Sequence, residues 1–160
     1  MPNVADDVIA ITGVLSRYSM AMDLRQWELM DQVFTPDGEV FFNDLRLQPS
    51  ARGVALIRAS IECCSYTHHA NTTVMVDVDG DRAKAVTNVR AWHRGGPNDD
   101  KEMEAIGRYF DDFVRTPSGW RISCRHEVIP VMTGDLDIFA AAEAEVDAIV
   151  KGSPTGADDR

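Results

Sequence analysis

Four histidines, three tyrosines and three cysteines are the side chains of this 160-residue chain best suited to proton transfer or nucleophilic attack. Two of the histidines are adjacent, in the run Thr67-His68-His69-Ala70-Asn71-Thr72-Thr73-Val74-Met75-Val76-Asp77-Val78-Asp79-Gly80-Asp81, which closes on an Asp-Gly turn. An imidazole at the mouth of an apolar strand is the first candidate for a base, because it titrates near neutrality. Neighbouring strand residues point to opposite faces, so at most one of the pair faces a given pocket. His69 alternates with Asn71, Thr73, Met75 and Asp77; His68 alternates with Ala70, Thr72, Val74, Val76 and Val78. The second set is the more apolar, so alternation alone turns His68 inward. A bulge between residues 70 and 74 would reverse that choice, and the small, polar Ala70-Asn71-Thr72-Thr73 segment suits one.

A base needs an orienting partner, and Tyr18 and Asp23 are the nearest candidates by pattern. Tyr18 lies on an apolar helical stripe between Leu15 and Met22, which turns its hydroxyl inward, and Asp23 closes that helix. Packing explains both residues equally well, Tyr18 as a core tyrosine and Asp23-Leu24-Arg25-Gln26 as a capping box for the next helix. A metal centre needs three or four converging ligands, and two adjacent strand histidines do not supply them even with His93 and His126 added. Cys63, Cys64 and Cys124 match no zinc spacing and no nucleophile–base spacing, and read as reduced, packed thiols. The chain has no phosphate loop and no dinucleotide fingerprint. The expected chemistry is therefore free of cofactors.

The elements that position these groups follow from periodicity. Val4, Val8, Ile11, Leu15, Tyr18 and Met22 lie on one helical stripe, and Arg25 to Phe34 reads as a second, shorter helix with Trp27, Met30 and Phe34 turned inward. Thr35-Pro36-Asp37-Gly38 is turn chemistry before a first strand at Glu39 to Asn43. Leu45 to Arg52 is a loop or edge segment around Pro49, and Gly53 to Ser65 is a third helix that delivers the chain to the histidines. Thr67 to Val78 and Arg82 to His93 form a hairpin turning at Asp79-Gly80, and Glu102 to Arg115 pairs with Trp120 to Val131 across Thr116-Pro117-Ser118-Gly119. Arg94 to Lys101 is a polar loop, a last helix starts near Asp135 or Asp137, and Gly152 to Arg160 reads as a disordered tail. Helices followed by a meander of long strands make an α+β fold, a curved antiparallel sheet wrapped around the N-terminal helices.

A net charge of −10 with no basic stripe argues against nucleic acid or an anionic membrane as partner. No apolar run reaches the roughly 20 residues of a membrane span, and the N-terminal segment lacks the features of a secretory signal, so the expected location is cytoplasmic.

The order of motifs resembles the SnoaL-like branch of the nuclear transport factor 2-like superfamily over about residues 4 to 150. The resemblance rests on Tyr18, Met22-Asp23-Leu24-Arg25-Gln26-Trp27, Phe34-Thr35-Pro36-Asp37-Gly38-Glu39-Val40, Thr67-His68-His69, Val76-Asp77-Val78-Asp79-Gly80-Asp81 and Gly107-Arg108-Tyr109 running to Gly119-Trp120-Arg121. It implies a cone-shaped α+β barrel over residues 1–151, paired as a homodimer or higher homo-oligomer, with a tail at 152–160. Similar members include scytalone dehydratase, a bile acid dehydratase, a hexachlorocyclohexane dehydrochlorinase, ketosteroid isomerase and polyketide cyclases. Carried over, the resemblance makes His69 the base, Asp23 its orienter and Tyr18 a helper, with Trp27 and His93 as substrate contacts and no metal. The ketosteroid isomerase base maps onto Phe41-Phe42, so that mechanism is not expected. The implied activity is a cofactor-independent lyase or isomerase acting on a small apolar cyclic or polyketide-like substrate. The competing reading is a non-catalytic ligand-binding or assembly module similar to the small subunit of ring-hydroxylating dioxygenases.

Overall fold

A computed structural model describes residues 3–97 and 99–152; the expected tail from 153 onward lies outside the described residues. Helix α1 (Val4–Asp23) starts at Asn3, whose side chain accepts the Ala5 N–H. Its buried face is formed by Ile11, Val14, Leu15, Tyr18, Ala21 and Met22, while Val4 stays exposed and the stripe begins with Asp7 instead. The segment read as a second α-helix is a 3₁₀ turn, Trp27–Gln32.

Strands β1 (Phe34–Phe42) and β2 (Leu45–Leu47) precede α2 (Ser50–Glu62), and β3 (Tyr66–Asp79), β4 (Arg82–Arg94), β5 (Glu102–Thr116) and β6 (Gly119–Gly134) form the meander. A 3₁₀ segment, Leu136–Ala142, and α3 (Glu143–Lys151) take the place of the single last helix expected. The six strands are ordered β2-β1-β6-β5-β4-β3, with β2 and β3 as free edges, so the sheet curls but does not close into a barrel. One pairing departs from the antiparallel expectation: β1 runs parallel to β6, because the long meander lies between them in the chain. β1 also begins earlier than its apolar run suggests, at Phe34, and carries the Pro36-Asp37-Gly38 irregularity inside it.

The inner face of the sheet and one side of α1 and α2 share a single core of Ile11, Leu15, Met22, Val40, Ile57, Phe113 and Ile122 among others. Three breaks in strand register decide which residues reach that interior. One lies in β3 between Asn71 and Val74, and two lie in the β5–β6 pairing, at Ile106/Arg108 and Asp112/Phe113. At the first of these β5–β6 breaks Gly107 is required, since a Cβ there would sit 2.2 Å from the Val128 carbonyl oxygen.

Candidate functional site

The C-terminus of α1, the end of α2 and the first residues of β3 meet at one point, tied by Arg25. Its backbone is left-handed (φ 58°), which turns the guanidinium back under the helix. From there it donates to the carbonyls of Met22 (2.6 Å), Ile61 (3.1 Å) and Cys64 (2.9 Å) and to Thr67 Oγ1 (2.9 Å). Asp23 is thereby aimed at β3. Its carboxylate accepts the Thr67 hydroxyl (2.9 Å), the His69 backbone N–H (2.8 Å) and, at 2.7 Å, the His69 ring at Nδ1. Burial pushes the Asp23 carboxyl up, but the His69 and Thr67 hydrogen bonds outweigh it and hold the group below its ordinary value. A carboxylate on Nδ1 fixes the tautomer with the proton there, leaving Nε2 as the basic nitrogen.

Alternation before the β3 break puts Thr67, His69 and Asn71 inside; after it, Val74, Val76 and Val78 take over. The break therefore turns His69 inward and leaves His68 exposed, the reverse of what the apolar set alone suggests. The His69 side chain is 6% exposed.

His69 lines a cavity of about 180 Å³ whose walls are mostly apolar, including Met22, Ile57, Ile61, Met103, Ile129 and Phe139. Five further polar residues line it, Ser60, Tyr109, His93, Tyr18 and Glu127, and the last three carry its chemistry. The His93 ring stands edge-on to His69, centroids 5.4 Å apart, and burial followed by the nearby His69 charge brings it down to about 4, so it is neutral at pH 7. Tyr18 donates to Glu127 Oε1 at 2.5 Å and not to the Asp23–His69 pair. Burial raises both groups, the Tyr18 phenol well above its usual range and the Glu127 carboxyl above that of an exposed glutamate. Beneath them Arg125 is fully buried, bidentate on Asp111 (2.7 and 2.8 Å), with its guanidinium over the rings of Tyr18 (4.0 Å) and Tyr109 (4.3 Å). Burial lifts the Asp111 carboxyl while Arg125 pulls it back, and the bidentate geometry keeps the pair ionised.

Trp27 lies apart from this cavity. Its indole N–H donates to Glu62 Oε1 (2.7 Å), and it borders a separate depression with Met30, Phe34 and Val54. Cys64 is buried and pushed up to about 11 by burial, which removes thiolate character, and Cys63 is raised for the same reason. Among the described residues no three His, Cys, Asp or Glu side chains converge as a metal site, and no helix is long and apolar enough to cross a membrane. A larger depression of about 450 Å³, lined by Asp77, Arg82, Lys84 and Asp112, is an outer hollow of solvated, opposite charges and offers no buried proton donor or acceptor.

Sequence reasoning missed Glu127 and its Arg125–Asp111 support. Alternation from the buried Trp120 and Ile122 leads to Cys124, His126 and Val128, but the Asp112/Phe113 break shifts the inward set to Arg125 and Glu127. The residue types carried no distinguishing signal, since Asp111 is followed by Asp112 and Arg125 and Glu127 lie among Arg121, Ser123 and His126.

The profile of the SnoaL-like domain matches residues 3–126. This chain belongs to the SnoaL-like family. The uncharacterised protein Rv2910c of Mycobacterium tuberculosis is 30% identical over 128 residues, covering 76% of this chain and 84% of that protein. A provisionally named scytalone dehydratase from Novosphingobium aromaticivorans superposes with a TM-score of 0.74 at 22% identity, covering 82% of this chain and 89% of that one. The hexachlorocyclohexane dehydrochlorinase LinA-type3 of Novosphingobium barchaimii superposes with a TM-score of 0.71 at 14% identity, covering 82% and 92%. At these identities the two structures share the fold of this SnoaL-like chain.

Proposed function

We propose that this SnoaL-like protein is a cofactor-independent lyase or isomerase that removes a carbon-bound proton from a small apolar cyclic or polyketide-like molecule. The observation that carries the proposal is the 2.7 Å contact between Asp23 Oδ1 and His69 Nδ1 at the wall of an apolar cavity. His69 Nε2 takes the proton and Asp23 stabilises the resulting imidazolium, an assistance worth about two to four powers of ten in rate. The fold shared with structures named as a dehydratase and a dehydrochlorinase supports an elimination. At about 180 Å³ the cavity falls below the roughly 300–1,000 Å³ of drug-sized pockets, which fits a one- or two-ring substrate. Neutral His93 shapes the cavity beside His69, and the exposed Ile106, Phe110 and Val128 of the outer sheet face would be covered in a homodimer.

The test is a screen of small cyclic and aryl β-hydroxyketones against wild type and His69→Ala, followed by the absorbance of the conjugated enone. Turnover by wild type that falls at least a hundredfold in the variant supports the reading; equal turnover by both removes His69 as base.

A further inference from the structure

The cavity holds more proton-carrying groups than a base and its orienter require. Glu127 is buried, its Oε1 accepts the Tyr18 hydroxyl at 2.5 Å, and Oε2 has no hydrogen-bond partner among the described residues. It stands on β6, three strands from His69 on β3, and the curled sheet brings both to the wall of one cavity. A molecule in that cavity meets both His69 and the Glu127–Tyr18 pair.

Among the described residues the other buried carboxylates have compensation of their own. Asp111 is bidentate on Arg125, Asp7 is bidentate on Arg115, and Asp23 takes three donors and reaches Arg25 through Thr67. Glu127 has one phenol. Arg125 is close and its Nη1 has no hydrogen-bond partner among the described residues, but it makes no hydrogen bond to Glu127, and its Nε and Nη2 go to Asp111, whose charge it balances. An ionised carboxylate buried on those terms is costly, and such a group keeps its proton.

We propose, resting on the elimination reading above, that Glu127 is the acid of the reaction and that the substrate class is β-hydroxycarbonyl compounds. His69 Nε2 takes the hydrogen on the carbon next to the carbonyl, and the C–H electron pair becomes the new C=C bond. The C–O bond at the β carbon breaks, its electrons go to the departing oxygen, and Glu127 Oε2 gives that oxygen a proton, so water leaves. Glu127 is left as carboxylate, still accepting the Tyr18 O–H, and His69 is left as imidazolium on Asp23. Return of the proton from His69 to Glu127 through water restores the resting state. Nothing is oxidised or reduced.

Two measurements test this separately from the base assignment. In wild-type protein with ¹³C-labelled glutamate carboxyls, one resonance should stay at the protonated position at neutral pH, disappear in Glu127→Gln and shift in Tyr18→Phe. A full set of ionised glutamates at neutral pH overturns the proposal, whether or not Glu127→Gln folds. The second measurement compares 4-hydroxy-4-phenylbutan-2-one with its 4-(4-nitrophenoxy) counterpart, whose leaving group needs no proton. Glu127→Gln should lose about 10²–10³-fold in turnover of the hydroxyl compound and less than tenfold with the nitrophenoxy compound. Equal losses with both overturn the acid role. His69→Ala should lose turnover of both, and if it loses neither the base reading fails while the carboxyl resonance still decides Glu127.

Discussion

Helix α1 carries a hydrogen-bonded aspartate near each end, Asp7 and Asp23, and the two are used in opposite ways. Asp7, in the first turn, accepts both Arg115 Nη1 and Nη2 (2.7 and 2.9 Å) and Trp120 Nε1 (2.9 Å), while Arg115 lies 4.3 Å over the Trp120 ring. Its partners cannot release a proton near neutral pH, and none of the three leaves a site open. Asp23, in the last turn, is equally well bonded, but one partner is an imidazole that lines a cavity. The comparison separates a staple from a site: saturation by permanent donors gives stability, and saturation through a titratable donor passes the charge on to a substrate.

The largest expected effects fall at the Asp23 end. His69→Ala should lower turnover of the proposed elimination by about 10²–10⁴-fold with little change in thermal unfolding, and Asp23→Asn should approach it, since an amide no longer enforces the Nδ1–H tautomer. Asp7→Ala should do the opposite, lowering the melting temperature by several degrees while kcat of the folded fraction is kept. If Asp7→Ala abolished turnover without loss of stability, the division of labour between the two ends would be wrong.

Acid should undo the two ends in separate windows. His93, brought down from 6.5 to about 4, binds fewer protons folded than unfolded between those values. Its contribution is therefore complete above 6.5 and lost as pH falls through about 4, up to roughly 3 kcal/mol in all. Asp7 is drawn down from 3.8 to about 2, chiefly by Arg115, so its contribution is complete above 3.8 and lost only as pH falls through about 2. Urea unfolding of wild type and His93→Phe from neutral pH to pH 4 should show stability falling more steeply with acid in wild type than in the variant. Equal slopes would mean that His93 is not held neutral.

Helices α1 and α2, both hairpins and their order are legible in the sequence because periods of 3.6 and 2 mark them directly, whereas the 3₁₀ segments Trp27–Gln32 and Leu136–Ala142 read as α-helix. The Asp23–His69 pairing is legible through motif order, since it depends on where α1 ends and β3 begins. Alternation fails wherever a strand breaks register: at Asn71/Val74 it picks His68 for the interior, and at Asp112/Phe113 it picks Cys124 and His126 over Arg125 and Glu127. A one-residue slip reverses every inward residue beyond it, and its cause is a cross-strand pairing that a single strand's residues do not encode. The parallel β1–β6 contact is hidden for the same reason, being a long-range closure with no local signal.

Trp27 sharpens the comparison with the smallest effect. It follows Asp23 by four residues in the junction motif, and the family resemblance places it among the substrate contacts. The left-handed turn at Arg25 sends the chain around the outside of α2 instead, where Trp27 bonds Glu62 and has Arg58 5.9 Å from its ring centre. Both interactions are largely exposed, and exposed hydrogen bonds of this kind contribute about 0.5–1.5 kcal/mol. Trp27→Phe keeps most of the packing and loses only the N–H, so unfolding should shift by less than about 1 kcal/mol and kcat/KM should stay within twofold. A tenfold rise in KM at unchanged stability would put Trp27 in the substrate path after all, and would mean that the working cavity extends past α2 to the depression beside Met30 and Val54.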